Sequence, residues 1–311
     1  MPQTPLIIVN PKAASGRARL LIPRIKAWLS SNSKGATLVE TQARGHAEQL
    51  ACEAKRQGHD RVIGVGGDGT FQELVNGLLR CPSHERLSAG LIPAGRGNDA
   101  ARGLNLPNDP MQAMATAMGS QRRRIDVIKA ADVHGKTRYF AAAGGAGFDA
   151  QVAHTMATQR RFWMRGEIGY MLATLNELRR FRNCELTITL RSEAGEQVIQ
   201  GHFLFAAFAN GPFYGGGMQI CPGARLDDGL LDVCMVGNLS RLAALKELPG
   251  IYRAAHLKHP KVTMARVRSM RIEAEPGIKV HLDGEPFGEL PIALSVKPGA
   301  IEIACPENKI P

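Results

Sequence analysis

The 311-residue sequence carries 39 Lys+Arg against 28 Asp+Glu, a formal net charge of +11, with 44% hydrophobic and 22% charged residues. This composition excludes a disordered chain, leaves room for two domains, and favours anionic partners: a nucleotide, a nucleic acid or an acidic membrane surface. Its six cysteines (Cys52, Cys81, Cys184, Cys221, Cys234, Cys305) form no CxxC pair and accompany no metal-spaced histidines, which speaks against zinc and disulfide scaffolds and for a reducing cytoplasm.

Leu6–Val9 is a strand candidate, too short and without the basic flank of a signal peptide; no stretch approaches a membrane span. There follow a helix over Arg17–Leu29, a strand over Ala36–Glu40, a helix over His46–Gln57, a strand over Arg61–Val65, a helix over Phe71–Leu79, a strand over Leu87–Pro93 and a helix over Pro110–Met118. Short, uninterrupted apolar runs alternating with amphipathic segments predict a doubly wound parallel sheet covered on both faces. Beyond Arg122-Arg123-Arg124 the texture changes to strands with few helices between them. These are Ile125–Ala131, Tyr139–Ala143, Glu185–Arg191, His202–Ala209, Leu231–Val236, Val267–Ala274, Lys279–Leu282 and Ile292–Val296. An antiparallel β-sandwich is expected, interrupted by helical segments Asp149–Leu178, broken near Gly166, and Leu239–Tyr252. The boundary falls near Gln121, giving an α/β nucleotide-binding domain over 1–121 and a sandwich over 122–296.

Three glycine-containing loops follow three of the N-terminal strands. Asn10-Pro11-Lys12-Ala13-Ala14-Ser15-Gly16-Arg17 offers small residues, two cations and a helix start that suit an anion, or an ordinary Asn-Pro turn. Gly64-Val65-Gly66-Gly67-Asp68-Gly69 satisfies G-x-G-x-x-G formally, but it follows the third strand and has no acidic partner at the end of the next one, so the dinucleotide assignment fails. No Walker A lysine is present either. What remains is a turn presenting amides to phosphate, with Asp68 either holding a cation or satisfying the turn itself. Thr70-Phe71-Gln72-Glu73 reads as a capping box for the next helix. In Pro93-Ala94-Gly95-Arg96-Gly97-Asn98-Asp99, an arginine sits between glycines and Asn98 or Asp99 is placed to cap a short helix. In a doubly wound sheet the three loops converge on one edge.

"VNPKAASGRA", "GVGGDGTFQELVNGL" and "IPAGRGNDAARGL", with "CPGARLDDGLLDV" and "VHLDGEPF" further on, resemble the diacylglycerol kinase catalytic domain superfamily over nearly the whole chain. That group includes soluble bacterial lipid kinases and the sphingosine and ceramide kinases. The resemblance implies a nucleotide-binding α/β domain rejoined by the C-terminal tail, about 297–311, and a sandwich for a lipid substrate. It implies ATP contacts from Asn10, Pro11, Lys12, Thr41, Gly66, Gly67, Asp68, Gly69, Thr70, Glu73, Arg96 and Asn98. The family usually has threonine where this chain has Arg96, whose guanidinium can reach phosphate in a bidentate manner.

Phosphoryl transfer is mostly positioning and charge neutralisation, completed by a base for the acceptor hydroxyl. The resemblance makes Glu285 that base, with Asp283 beside it and Asp68 in the catalytic set. It makes Asp228 a Mg²⁺ ligand with the carbonyls of Arg225 and Leu230, and joins Asp126 to the metal-water network. Read from residues alone, Asp283-Gly284 and Asp228-Gly229 are also ordinary turns. The segment Arg160-Arg161-Phe162-Trp163-Met164-Arg165, with Arg179, Arg180 and Arg182, suits transient contact with an anionic membrane or simple core packing. The expected activity is an ATP- and Mg²⁺-dependent lipid kinase, cytoplasmic and peripheral, acting on diacylglycerol, a sphingoid lipid or phosphatidylglycerol. An NAD kinase-like enzyme of the same fold and a non-catalytic nucleotide-binding protein are the alternatives. No nucleic-acid partner is expected, since aromatics are 5% and no recognition motif occurs; a homodimer is admitted.

Overall fold

The computed structural model describes residues 4–32, 34–82, 87–158 and 174–306. The chain divides into two compact units, Met1–Val127 with Pro298–Pro311, and Ile128–Lys297.

The first unit is an α/β domain. Its strands β1 (Thr4–Val9), β2 (Thr37–Glu40), β3 (His59–Gly66) and β4 (Ser88–Pro93) pair in parallel in the order β2-β1-β3-β4. Residues Leu6–Val9 and Val62–Gly66 are buried without interruption, as expected for strands covered on both faces. One face, with Ile7, Val9, Ile63, Val65 and Ile92, packs on α1 (Leu21–Ser31) and α5 (Pro110–Met118) through Ile25, Leu29, Ala113, Met114 and Ala117. The other lies under α3 (Asp68–Arg80), where Leu74 sits so close to Gly64 that a Cβ there would be 2.9 Å from Cδ2 of Leu74. Helix α2 (His46–Glu53) packs on α3 at Gly77. The short helix α4 (Asp99–Gly103) follows β4. Parallel strands force each connection across a face, and the strand order reverses between β1 and β3. That reversal places the loops after β1 and β3 side by side.

The second unit is β-sandwich-like, entered along β5 (Arg122–Asp132). It contains β6 (Thr137–Phe140), β7 (Ala143–Gly147), α6 (Phe148–Thr158), β8 (Cys184–Ser192), β9 (Gly195–Ala209) and β10 (Leu231–Gly237). There follow α7 (Arg241–Glu247), β11 (Val262–Val267), β12 (Ser269–Glu273), β13 (Lys279–Leu282), β14 (Glu285–Glu289) and β15 (Ile292–Ala304). The pairings β14-β13-β7-β9-β8-β12-β15 and β9-β10-β11 are antiparallel. The long β9 pairs with β8 along its first part and with both β7 and β10 along its second, so one strand serves two sheet segments. Phe140, Phe208, Leu186, Val233, Ile272, Val280 and Leu294 fill the interior, with the Phe140 and Phe208 ring centroids 5.7 Å apart. The last part of β15, from Pro298, belongs to the first unit, where Ile303 pairs in parallel with Ala89 of β4.

Several elements differ from the sequence expectation. The stretch Val267–Ala274 is two strands, because the chain steps out at Arg268, whose amide bonds to Arg191 O. Tyr139–Ala143 also divides, since the amides of Ala141, Ala142 and Ala143 go to a side chain, not to a ladder. β14 had no apolar run to announce it. The helix over Leu239–Tyr252 is α only to Glu247 and then tightens to 3₁₀ turns at Leu248–Arg253, where Pro249 withholds an amide. The break near Gly166 and the segment 160–165 lie outside the described residues.

A Cβ on Gly77 would lie 2.2 Å from Glu48 O and 2.8 Å from Cβ of Ala51. Gly77→Ala is therefore expected to force α2 off α3 and to cost about 1–3 kcal/mol in urea unfolding. Gly223→Ala, where a Cβ meets nothing within 4 Å, should stay within about 0.5 kcal/mol of the parent.

Candidate active site

Loop one leaves β1 at Asn10, whose amide bonds to Val65 O at 2.9 Å and whose Nδ2 donates to Thr70 Oγ1 at 3.1 Å. Its Oδ1 accepts from the Lys12 amide at 3.1 Å. Ala14, Ser15 and Gly16 are left-handed in succession (φ 47°, 61° and 95°), an arrangement that costs energy at the two non-glycine positions. Pro11 is half-buried and Lys12 exposed, while Thr41, at the end of β2, donates its amide to Val9 O at 2.8 Å.

Loops two and three interlock. A Cβ on Gly67 would meet Gly95 Cα at 2.9 Å, and one on Gly95 would meet Gly67 Cα at 2.4 Å. A Cβ on Gly66 would strike Thr70 Oγ1 at 2.2 Å. The two backbones touch because neither carries a side chain. Ala94 N donates to Gly66 O at 2.8 Å, and Asn98, left-handed at φ 54°, closes its own turn by accepting from Gly95 N at 2.8 Å. Arg96 reaches from loop three to loop one, its Nη2 donating to Ser15 Oγ at 2.5 Å. Asn10, Gly66, Gly67, Asp68, Gly69, Thr70, Arg96 and Asn98 thus meet at the carboxyl edge of the sheet.

Two acids of this unit, Asp68 and Glu73, bond to helix starts that the sequence did not assign to them. Helix α3 begins at Asp68, three residues before the expected start, and has no side-chain cap. Glu73 does not reach back to Thr70; it accepts from Gly45 N at 2.9 Å and Ala47 N at 3.1 Å, at the start of α2. Two amides at a positive helix end outcompete the local box. Asp68 Oδ1 accepts from Ala100 N at 2.9 Å in the first turn of α4, a task assigned by sequence to Asn98 or Asp99. Burial pushes the Asp68 carboxyl up, opposed by the Ala100 amide and reinforced by nearby Asp99. Asp99 itself is buried and pairs with Arg102 at 2.5 Å. Asp126, also buried, accepts from Gly299 N at 2.7 Å and so holds the last strand.

In the second unit, Asp283-Gly284 is a two-residue hairpin turn with both φ positive (50° and 78°), and Leu282 faces Glu285 across it. The Asp283 carboxylate accepts from the amides of Ala141 (3.3 Å), Ala142 (3.1 Å) and Ala143 (3.1 Å). Glu285 is half-buried at the start of β14. Beneath the turn, buried His281 accepts from Gly284 N through Nδ1 (3.3 Å) and faces Asp149 Oδ2 through Nε2 (3.3 Å). The Gly284 donor fixes the proton on Nε2, which donates to Asp149. His281 stands within VHLDGEPF, but no spacing in the sequence singles out Asp149 as its partner.

Asp228 accepts from Leu230 N at 3.0 Å through Oδ1 and pairs with Arg266 through Oδ2. Arg225 lies against Asp227 at 3.4 Å. Asp232 shares Arg266 (3.5 Å), yet its own Oδ2 is buried without a partner, and burial with the Asp228 charge pushes its carboxyl up to about 6. One guanidinium thus serves two carboxylates. Among the described residues no group of three His, Cys, Asp or Glu side chains is arranged to hold a metal. The oxygen donors at 225–232 nonetheless fit a hard divalent cation, since carboxylate and main-chain oxygens are its preferred ligands and a buried carboxylate oxygen is left over.

A small apolar recess lies in the same unit between Phe148, Leu204, Ile220, Leu239, Ile251 and His256. His256 Nε2 donates to Ile220 O at 3.0 Å, burial lowers its pKa, and its Nδ1 has no partner.

Residues 4–130 match the diacylglycerol kinase catalytic domain, and residues 142–305 match the YegS C-terminal NAD kinase beta sandwich-like domain. A diacylglycerol kinase of Mycobacterium tuberculosis is 34% identical over 263 residues, covering 84% of this chain and 82% of its own. The chain belongs to the diacylglycerol kinase family of lipid kinases. A YegS-like lipid kinase of Chromohalobacter salexigens is 32% identical, covering 90% and 93%. Two solved structures from Bacillus anthracis share the fold. One has a TM-score of 0.79 at 24% identity, covering 98% of this chain and 96% of its own; the other, a diacylglycerol kinase, has 0.72 at 23%, covering 98% and 97%. Membership makes the protein a lipid kinase-type phosphotransferase. Among the described residues no helix is long and apolar enough to cross a membrane.

Because the Asp232 carboxyl is raised from 3.8 to about 6 on folding, the folded state holds that proton more tightly, and its stability falls as pH rises between those values. Asp232→Asn is expected to gain up to about 3 kcal/mol relative to the parent above pH 6, and nothing below pH 4. Paired thermal melts in chelator at both ends of that window check it.

Proposed function

We propose that the protein transfers the γ-phosphoryl group of ATP, with Mg²⁺, to the free hydroxyl of a diacylglycerol-type lipid. The observation that carries this reading is the junction of three glycine loops at the sheet edge, where the backbones of loops two and three touch and the side chains of Asn10 and Arg96 tie in loop one beside a helix start. Such a cradle suits the triphosphate, which requires many donors at fixed positions. In this reading Gly66, Gly67, Gly69 and Thr70 hold the phosphates. Asn10 and Thr41 border the nucleotide, and Lys12 with Arg96 supply positive charge. Glu73 acts by fixing the start of α2.

Asp228, with the carbonyls of Arg225 and Leu230, would hold Mg²⁺, and Asp232 would lend the set its negative charge. The ion supplies neutralisation of phosphate charge when bound. Glu285 takes the proton of the acceptor hydroxyl. Asp283 acts through position: its carboxylate, occupied by three amides, locks the hairpin on which Glu285 stands. The apolar lining at Phe148, Leu204 and Ile251 is a surface in this unit that would contact the acyl portion. The names of the Mycobacterium tuberculosis and Chromohalobacter salexigens relatives support a lipid acceptor over NAD.

Labelled ATP offered with diacylglycerol, sphingosine, ceramide, phosphatidylglycerol and NAD separates the readings. Label is expected in the diacylglycerol-derived, organic-phase product. Glu285→Gln should lower kcat by about 10²–10⁴ with ATP affinity retained. Label entering NAD, or a fully active Glu285→Gln enzyme, contradicts the assignment.

A further inference from the structure

Four of the eight large hydrophobic side chains exposed among the described residues fall within one short segment. These are Leu242 (81% exposed), Leu245, Tyr252 and Leu257. The segment comprises α7 and the 3₁₀ turns at Leu248–Arg253 and Ala255–Lys258, which pack on one another. Its inner face is accounted for: Ala244, Leu248, Ile251 and His256 line the apolar recess. On its outer face Leu242, Leu245 and Leu257 stand exposed, and Tyr252 has a further contact of its own. Leu242 and Leu245, three apart on a helix, share a side. Interleaved with the apolar residues are Arg241, Lys246, Arg253 and Lys258, all exposed and none in an ion pair with a described residue. Glu247 is the one acid of the segment, and it too lines the recess. Single exposed leucines need no explanation, but three leucines and a tyrosine in one segment, with four cations unpaired among the described residues and no exposed acid, make an amphipathic surface of the kind that lies in a headgroup layer.

We propose that the outer face of residues 241–258 is the surface by which the protein sits on an anionic bilayer. This deepens the lipid-kinase reading and rests on it for the choice of a bilayer; the excess of cations selects anionic lipid. Leucines enter the acyl boundary while the long basic side chains reach phosphates. One segment then carries both faces: Ala244, Leu248, Ile251 and His256 line the recess, while Leu242, Leu245 and Leu257 are exposed.

Flotation of the full chain with vesicles of phosphatidylglycerol or of phosphatidylcholine tests this. The parent should float with the first and not the second. Leu242→Ser with Leu245→Ser, and separately Arg253→Glu with Lys258→Glu, should each lower partition by about tenfold or more. All four sites are exposed, and thermal melts should match the parent. Phosphorylation of a short-chain diacylglycerol dissolved as monomers should be unchanged. Variants that float like the parent overturn the proposal, as does loss of self-association in sedimentation without loss of vesicle binding, which would assign the face to a second copy. If the parent phosphorylates no lipid but floats in this variant-sensitive way, the docking surface stands and the kinase reading falls.

Discussion

Direct contact between the backbones of Gly67 and Gly95 is the constraint on which the N-terminal site depends. With a notional Cβ on Gly95 only 2.4 Å from Gly67 Cα, no other residue fits at that point without moving one loop. The contact fixes the spacing of the loops after β3 and β4, while the Asn10 to Thr70 bond fixes the loop after β1 against the first turn of α3. All three are anchored where a parallel sheet reverses its strand order, the place where backbone donors at several strand ends face one crevice. A site held by backbone geometry is insensitive to side-chain rotamers, which suits a reaction that consists chiefly of positioning charged groups.

The acids show how the same economy extends to the rest of the fold. Asp68 caps α4, Glu73 caps α2 and Asp283 gathers the amides at 141–143, each across a long sequence separation. Each satisfies amides that would otherwise be orphaned, and each ties a loop to an element it does not follow. Asp228 and Asp232 differ. They compete for Arg266, so one guanidinium serves two carboxylates.

Legibility in the sequence follows the range of the interaction. β1 and β3 could be read because buried parallel strands are uninterrupted apolar runs, and the Asp283-Gly284 turn because Asp-Gly is a favoured pair for a two-residue turn with both φ positive. The capping box at Thr70–Glu73 was misleading. A local pattern says which bonds are available, not which are taken, and Gly45 lies 28 residues from Glu73. β14 escaped because Pro286 and Gly288 break its alternation, and it is a strand only through its pairing with β13. The Asp149–His281 pair spans 132 positions, and although His281 stands within VHLDGEPF, nothing in the sequence links it to Asp149. The family resemblance supplied roles for Glu285 and Asp228 that their turns alone did not.

The central claim is that interlocked glycine loops cradle the nucleotide phosphates. It is tested most directly by backbone amide chemical shifts of the full chain during titration with ATP and Mg²⁺. The account predicts the largest changes at Gly66, Gly67, Gly69, Thr70, Gly95 and Gly97. Changes confined to other residues, or none at saturating nucleotide, would contradict it.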